Sequence, residues 1–308
     1  MDKLRALRYF VHLANSLNFS VTADHFRVPS SSVSRRIKDL EIELGAALFE
    51  RTTRTVRLTD LGNLYLGEIS PALQSIELAD ELVGTQSQSP TGMLRVTAMP
   101  GYGERFVLPA LEKLRGQYEN IDFDVNFTDQ VINLASNEVD IAIRATSNLP
   151  DQVVARRLGD HDFVLVATQG YIDLYGAPKT SSELLDRTAF MYRTPHGVMD
   201  WLVLQNGHWK PIELNPKYIT THGQSLLNSV LDGHGIAYLP SWGVARDIKA
   251  NNLVALELDD GPLSTRGDAQ TGVYLLYHPP KFRLQKIKVA VDFLVAELRH
   301  NKVLGSGL

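Results

Sequence analysis

The 308 residues are too many for one small core and point to two or three domains. Hydrophobic residues at 44% and charged residues at 21% are ordinary for a globular protein. No apolar run is long enough to cross a bilayer, and MDKLRALRYF lacks signal-peptide order, so a cytoplasmic protein with no membrane partner is expected. The chain has no cysteine, which excludes disulfides, thiolate catalysis and zinc–thiolate sites. The net charge of −4 is uneven: residues 1–59 hold ten Lys/Arg against six Asp/Glu, a balance of +4, which leaves −8 for the rest. A basic head on an acidic body suggests that only the head meets a polyanion.

Leu4, Leu7, Val11 and Ala14 recur at helical spacing, so residues 3–16 read as a helix that Asn15 to Asn18 break. Ser20 is the expected N-cap of a short second helix whose apolar side is Val21, Ala23 and Phe26. After the connection Arg27-Val28-Pro29, a third helix is expected to start within Ser30 to Ser32 and stop at Gly45. Its stripe of Val33, Ile37, Leu40 and Leu44 would be buried. That places Ser31, Ser32, Ser34, Arg35, Arg36 and Lys38 on the solvent side. A second helix that displays its N-terminal side chains after a three-residue turn is a helix-turn-helix arrangement. The plainer alternative is a capped surface helix with solvated arginines. Leu48 to Thr59 then alternates arginine and threonine with apolar residues around a turn, as a basic hairpin, or wing, would.

These elements together resemble the LysR-type transcriptional regulators, in particular a subgroup with an Arg-Thr-Thr-Arg wing. The residues that carry the resemblance are Phe19-Ser20, Ala23, Phe26, VSRRIKDLEIELG and LFERTTRTVRLTDLG. Two departures stand out. Pro29, Ser30 and Ser31 occupy positions where Ser-Gln-Pro is common, so the glutamine that could read adenine is missing. Thr22-Ala23-Asp24 replaces a basic residue and two alanines. The resemblance implies double-stranded promoter DNA with an interrupted palindrome as partner, a small-molecule effector, and a dimer of dimers that alters polymerase access. The DNA-contacting set would be Ser20, Ser30, Ser31, Ser32, Ser34, Arg35, Arg36, Lys38, Arg51 and Arg54.

Asp60 is the expected cap of a further helix over residues 60–84, with a seam of Leu66, Ile69, Leu73, Ile76 and Val83 and a kink at Pro71. That seam would pair two subunits, as the resemblance implies, or pack against the chain's own body. A polar hinge, Gly84 to Gly92, follows.

From Met93 strands and helices alternate, which predicts an α/β sheet with crossover helices. Strands are expected at Leu94–Ala98, Ile121–Phe127, Val139–Arg144, Phe163–Thr168, Ala189–Arg193, Lys217–Thr220, Ile236–Leu239 and Val273–Tyr277. Helices are expected at Phe106–Tyr118, Val131–Asn137, near Ser181–Leu185, Gln224–Leu231 and Phe282–His300. The order fits two α/β lobes with a cleft, similar to the periplasmic-binding-protein-like effector domain of the family. The expected organisation is therefore three-part: an α winged helix-turn-helix domain (1–59), a linker helix and hinge (60–90), and an α/β effector domain (91–308). The first lobe would span about 91–161 and 266–308, and the second 162–265.

Open α/β sheets bind ligands at strand C-terminal ends. Candidates are Met99, Pro100, Gly101 and Tyr102, then Thr128, then Arg144 and Thr146, with Arg193, Thr194 and His222 closing the other side. Arg144 and Arg193 are salt-bridge partners or ligands; if both face the cleft, a small organic carboxylate is favoured. Gly101-Tyr-Gly103-Glu-Arg-Phe106 is only half of a dinucleotide fingerprint, and Gly233-His234-Gly235 reads as a turn. The sequence has no nucleophile elbow and no metal-ligand histidine spacing, so no enzyme, cofactor or metal is expected.

Overall fold

The computed structural model describes residues 2–51, 55–84, 89–130, 133–134 and 138–300. The chain forms two compact units, one over residues 1–86 and the other beginning at Ser87.

In the first unit α1 (Lys3–Ser16) is capped by Asp2, whose carboxylate accepts from Arg5 N–H at 3.1 Å. Asn18, not Ser20, caps α2 (Phe19–Phe26): its Oδ1 accepts from the N–H groups of Ser20 and Val21 at 2.8 and 3.2 Å. The helix therefore starts earlier than the sequence suggests, and Ala23 and Thr22 are its buried residues while Val21 is exposed. Buried Thr22 is satisfied by donating to the carbonyl of Asn18 at 3.0 Å. Arg27, in the left-handed region at φ 52°, ends α2 and opens the turn. Helix α3 (Ser30–Leu44) then buries Val33, Ile37 and Leu40 against Phe10, Leu13 and Ala23, with Leu44 half-buried at the edge. Gly45 at φ 66° supplies the left-handed cap, a conformation that favours glycine.

The wing consists of β1 (Phe49–Arg51) and β2 (Val56–Leu58), antiparallel with Phe49 opposite Leu58 and Arg51 opposite Val56. Glu41 anchors it. Its Oε1 accepts from the N–H groups of Leu48 and Phe49 at 2.9 and 3.1 Å, so α3 and the wing are oriented together. Helix α4 (Asp60–Gly84) is capped by Thr59 rather than Asp60, through Oγ1 accepting from Gly62 N–H at 2.9 Å. Pro71 lies inside this helix.

The second unit opens with β3 (Gly92–Ala98), the short α5 (Pro100–Tyr102), a π turn at Gly103–Val107 and α6 (Leu108–Gln117). The expected helix thus begins six residues earlier, at Pro100, whose missing N–H costs nothing at a first helical position. Strands β4 (Ile121–Phe127), β5 (Ile141–Thr146) and β6 (Val154–Asp160) follow. The helix expected at Val131–Asn137 falls mostly outside the described residues.

The chain then builds a second sheet from β7 (Phe163–Ala167), α7 (Gln169–Tyr175), β8 (Ala189–Thr194) and β9 (Gly197–Val198). Next come β10 (Leu202–Gln205), β11 (His208–Pro211), β12 (Tyr218–Thr220), α8 (Gly223–Leu231), β13 (Ile236–Pro240) and α9 (Ser241–Lys249). Strands β14 (Val254–Leu256) and β15 (Leu263–Ser264) complete this lobe. The chain returns to the first lobe with β16 (Gly272–Tyr277), a 3-10 turn at Pro279–Arg283 and α10 (Gln285–His300).

The first-lobe sheet has the order β4-β3-β5-β16-β6, with β3 parallel to β4 and β5, and β16 antiparallel to both neighbours. In the second lobe the path is β12-β8-β13-β7-β14, where β8 is parallel to β12 and β13. Alternation along these strands divides two cores. Leu165, Met191 and Tyr238 pack on one face with Trp201, while Val166, Phe190 and Ala237 pack on the other with Leu226 and Val230 of α8. Helix α10 covers the first-lobe sheet through Ile287, Ala290, Val291, Leu294 and Leu298, one stripe at helical spacing.

The carboxylate anchor predicts that Glu41→Ala lowers the unfolding free energy by about 1.5–3 kcal/mol, the range for a charged hydrogen-bond acceptor lost from two donors. Glu41→Gln, which keeps one acceptor oxygen, should cost less. Urea denaturation of the full-length protein measures both.

Candidate functional site

Two regions carry chemistry, one in each unit. In the first, the buried stripe of α3 turns its opposite side outward. Ser30, Ser31, Arg35 and Lys38 are exposed, and Ser32, Ser34 and Arg36 are half-buried. Among the described residues neither Arg35 nor Arg36 forms an ion pair, so both guanidiniums lack a counter-ion. Ser20 is exposed on α2. Arg51 ends β1, and Arg54 lies outside the described residues.

Helix α4 distributes its apolar residues differently from the expected seam. Leu73 is buried, and Leu66, half-buried, packs with Tyr65 on the core of this unit. Helix α4 runs along α1, and Arg8 pairs with Glu77 at 3.3 Å. Of the predicted seam, Leu66 therefore packs on the chain's own helix-turn-helix and Leu73 is buried, while Ile76 is exposed. A second stripe is left on the outside: Leu61 at 55% exposure, Leu64 at 69% and Ile76 at 42%, with Ala72 between them. The side chain of Val83 is outside the described set.

In the second unit a cavity of about 800 Å³ lies between the two lobes. Met99, Pro100, Gly101, Arg144, Thr146 and Thr194 line it, as expected from strand C-terminal ends. Tyr102, Thr128, Arg193 and His222 do not. The buried Tyr102 ring packs edge-on against Trp242 at 5.2 Å and beside Phe106 at 4.9 Å. Thr128 closes the turn after β4 by accepting from Gln130 N–H at 3.2 Å. His222 is exposed, with Nδ1 2.9 Å from Ser225 Oγ at the start of α8. Arg193 is excluded by strand geometry: successive side chains point to opposite faces, so Tyr192 and Thr194 face the cavity and Arg193 faces solvent.

Arg144 is the best-developed polar group in the cavity. Its Nη1 donates to Ile143 O at 3.0 Å, and Nη2 donates to Thr97 Oγ1 at 2.8 Å and to Gln130 O at 3.4 Å. All three acceptors are neutral. Burial lowers its basicity, and the nearby carboxylate of Asp129 partly restores it. Across the cavity the Tyr192 hydroxyl donates to Asp129 Oδ2, joining β8 to the loop after β4. Burial, then this bond, pushes the Tyr192 hydroxyl above the ordinary phenol range. A second bridge joins the lobes where Arg105 of the π turn donates to the carbonyl of Gly243. Trp242 Nε1 donates to His161 Nδ1 at 3.0 Å, which requires an unprotonated Nδ1. Desolvation among these rings, with Arg266 nearby, pushes His161 down to about 4.

The glycines of the half fingerprint serve packing. A Cβ on Gly103 would collide with the Phe127 ring, and one on Gly101 would meet Trp242 at 3.6 Å. Asp129, Tyr192, Arg105 and Trp242 are not among the sequence candidates. Parity along β8 points to Tyr192 once Thr194 is placed, and the strand-end rule applied to β13 leads through Pro240 to Trp242.

Residues 4–63 match the family profile described as bacterial regulatory helix-turn-helix protein, lysR family, and residues 87–299 match the LysR substrate binding domain. The chain belongs to the LysR family. It is a LysR-type DNA-binding transcriptional regulator with an effector-binding domain. The HTH-type transcriptional regulator CrgA of Neisseria meningitidis serogroup C (strain 8013) is 30% identical over 96% of this chain and 97% of that protein. The HTH-type transcriptional regulator DmlR of Escherichia coli (strain K12) is also 30% identical, over 82% of each chain. The solved structure of CrgA, a LysR-type transcriptional regulator from Neisseria meningitidis, superposes with a TM-score of 0.61 at 29% identity. It covers 96% of this chain and 98% of that one. The full-length structure of the Vibrio cholerae virulence activator AphB, at 21% identity and a TM-score of 0.62 over 95% and 98%, shares the fold. Among the described residues no helix is long and apolar enough to cross a membrane.

The depressed basicity of His161 has a signed consequence. Its folded form stays neutral down to about 4, whereas the unfolded imidazole takes a proton near 6.5. Stability present above 6.5 is therefore lost as pH falls toward 4, by about 3 kcal/mol in all. Chemical denaturation across that range should show a shallower loss in His161→Gln than in the wild type.

Proposed function

We propose that the regulator works in the cytoplasm as a homotetramer, a dimer of dimers, without catalysing a reaction. It would bind an interrupted palindrome in double-stranded promoter DNA and respond to a small organic acid in the cavity of its C-terminal unit. The observation that carries the DNA half is the division of α3, whose apolar stripe is buried while Arg35 and Arg36 lack counter-ions. Ser30, Ser31, Ser32 and Ser34 at its N-terminus offer hydroxyls to phosphate, where free N–H groups already favour an anion. Arg35, Arg36 and Lys38 reach phosphate or guanine edges, and Ser20, Arg51 and Arg54 add backbone contacts from α2 and the wing.

Two recognition helices on successive major grooves must be held about 34 Å apart, or a multiple of that. The outward stripe of Leu61, Leu64, Ala72 and Ile76 on α4 offers a second copy an apolar surface for this. In the cavity the charge of Arg144 would meet the carboxylate of the effector. The effector then acts through its differential affinity for two assembly states, with RNA polymerase as the onward partner.

Footprinting is expected to reveal a protected site with two half-sites; salt-sensitive binding without sequence preference would count against a regulator. Arg35→Ala and Arg36→Ala should each weaken DNA binding about tenfold and lower the salt dependence by about one unit per lost phosphate contact, with oligomer size unchanged. Undiminished affinity in both would move the recognition face elsewhere. Leu64→Glu should give smaller particles by sedimentation velocity; an unchanged assembly would remove α4 from the pairing surface.

A further inference from the structure

The positive charge of the cavity wall is unevenly placed. Arg144 has the carboxylate of Asp129 nearby, and that pair is neutral. The excess lies at the other end. There Arg105 bonds the carbonyl of Gly243, Arg246 and Asp247 both act on Arg105, and Arg266 acts on His161. These three arginines line the cavity against Glu104 and Asp247, which leaves one positive charge uncancelled. Among the described residues none of the three forms an ion pair, and Arg246 and Arg266 are exposed. His161 adds a neutral donor. Because its Nδ1 accepts from Trp242, its proton is on Nε2, and no described residue accepts from that N–H. The rest of the wall is largely apolar, through Met99, Phe163, Met199, Leu227 and Tyr238.

We propose that the effector is a dicarboxylate, with one carboxylate on Arg144 and the second among Arg105, Arg246 and Arg266 beside His161. This rests on reading the cavity as an acid-binding site and adds a second anchor to it. At Arg144 the first carboxylate is held by hydrogen bonds rather than by net charge. Ile143 O, Thr97 Oγ1 and Gln130 O take three of the five guanidinium N–H groups, and two remain for a ligand. At the other end net charge and hydrogen bonding act together. The second carboxylate cancels the uncancelled positive charge and accepts from His161 Nε2–H. A ligand with one carboxylate on Arg144 leaves that charge unmet. The apolar wall suits a plain carbon chain between the two acids. A charge-assisted hydrogen bond at the second end is worth about tenfold or more in affinity.

Calorimetric titration of the full-length protein tests this with the straight-chain diacids from succinate to suberate, each against the monoacid of the same length. The best diacid should bind the wild type at least about tenfold more tightly than its monoacid partner. The double variant Arg246→Gln, Arg266→Gln, at two exposed positions, should bring that ratio close to one and leave monoacid affinity unchanged. Arg144→Met should weaken monoacids and diacids alike, which locates the first carboxylate in the cavity. If every monoacid binds the wild type as tightly as its diacid, or if the double variant keeps the preference, the second anchor is wrong, although the cavity still takes acids. If the wild type binds no acid of either kind, or if Arg144→Met binds them undiminished, the acid-binding reading falls and the second anchor with it.

Discussion

Strand β16 has to return to the first lobe, and much of the second unit follows from that. It lies between β5 and β6 and is antiparallel to both, so the first sheet is incomplete until the chain has left, built the second lobe and come back. The chain must cross between lobes twice, after β6 and before β16. His161 N–H donates to the carbonyl of Thr271 at 3.0 Å, which joins the two crossings. Two hydrogen-bonded connections leave the lobes a gap rather than a shared core, and the strand ends that open into it become its walls. Among the described residues, side chains that span the gap include Tyr192 to Asp129, Arg105 to Gly243, and Trp242 among Tyr102, Phe106 and His161.

The bridges differ in kind, which gives the cavity two ends with different chemistry. Near Trp242 aromatic rings surround a histidine held neutral, beside the Arg105 guanidinium that bonds Gly243. Near Arg144 the contacts are directional hydrogen bonds, to Thr97, Gln130 and Ile143 from the guanidinium and to Asp129 from Tyr192.

The sequence reads well where a pattern has one physical cause. The stripe of Val33, Ile37, Leu40 and Leu44 identifies α3, because side chains spaced at three and four residues share a helix face. The alternation of apolar strands and helices likewise gives the α/β class. What it hides has competing causes. Asn18 and Ser20 are both good caps, and only the fold decides in favour of Asn18. Leu66, Ile69 and Leu73 look like an intersubunit seam, but Leu66 packs on the chain's own helix-turn-helix core, Leu73 is buried, and the outward stripe is shifted around the helix. Arg193 stands out by its charge, although the parity of β8 sends it to solvent once Thr194 points inward. Asp129 and Trp242 depend on which loops meet across the gap, which no local pattern encodes.

The π turn at Gly103–Val107 sits directly behind the cavity rim formed by Met99, Pro100 and Gly101. Such a turn is what an α-helix becomes when it absorbs one extra residue. Loss of one residue from this stretch would restore the regular helix with β3 and α6 left in place, and would change only the atoms that stand behind the rim. The rim is thus one insertion or deletion away from presenting a different set of atoms to a ligand, while the sheet and α6 stay in place. For a regulator with an effector-binding domain, a length change here alters the cavity rim without touching the helix-turn-helix.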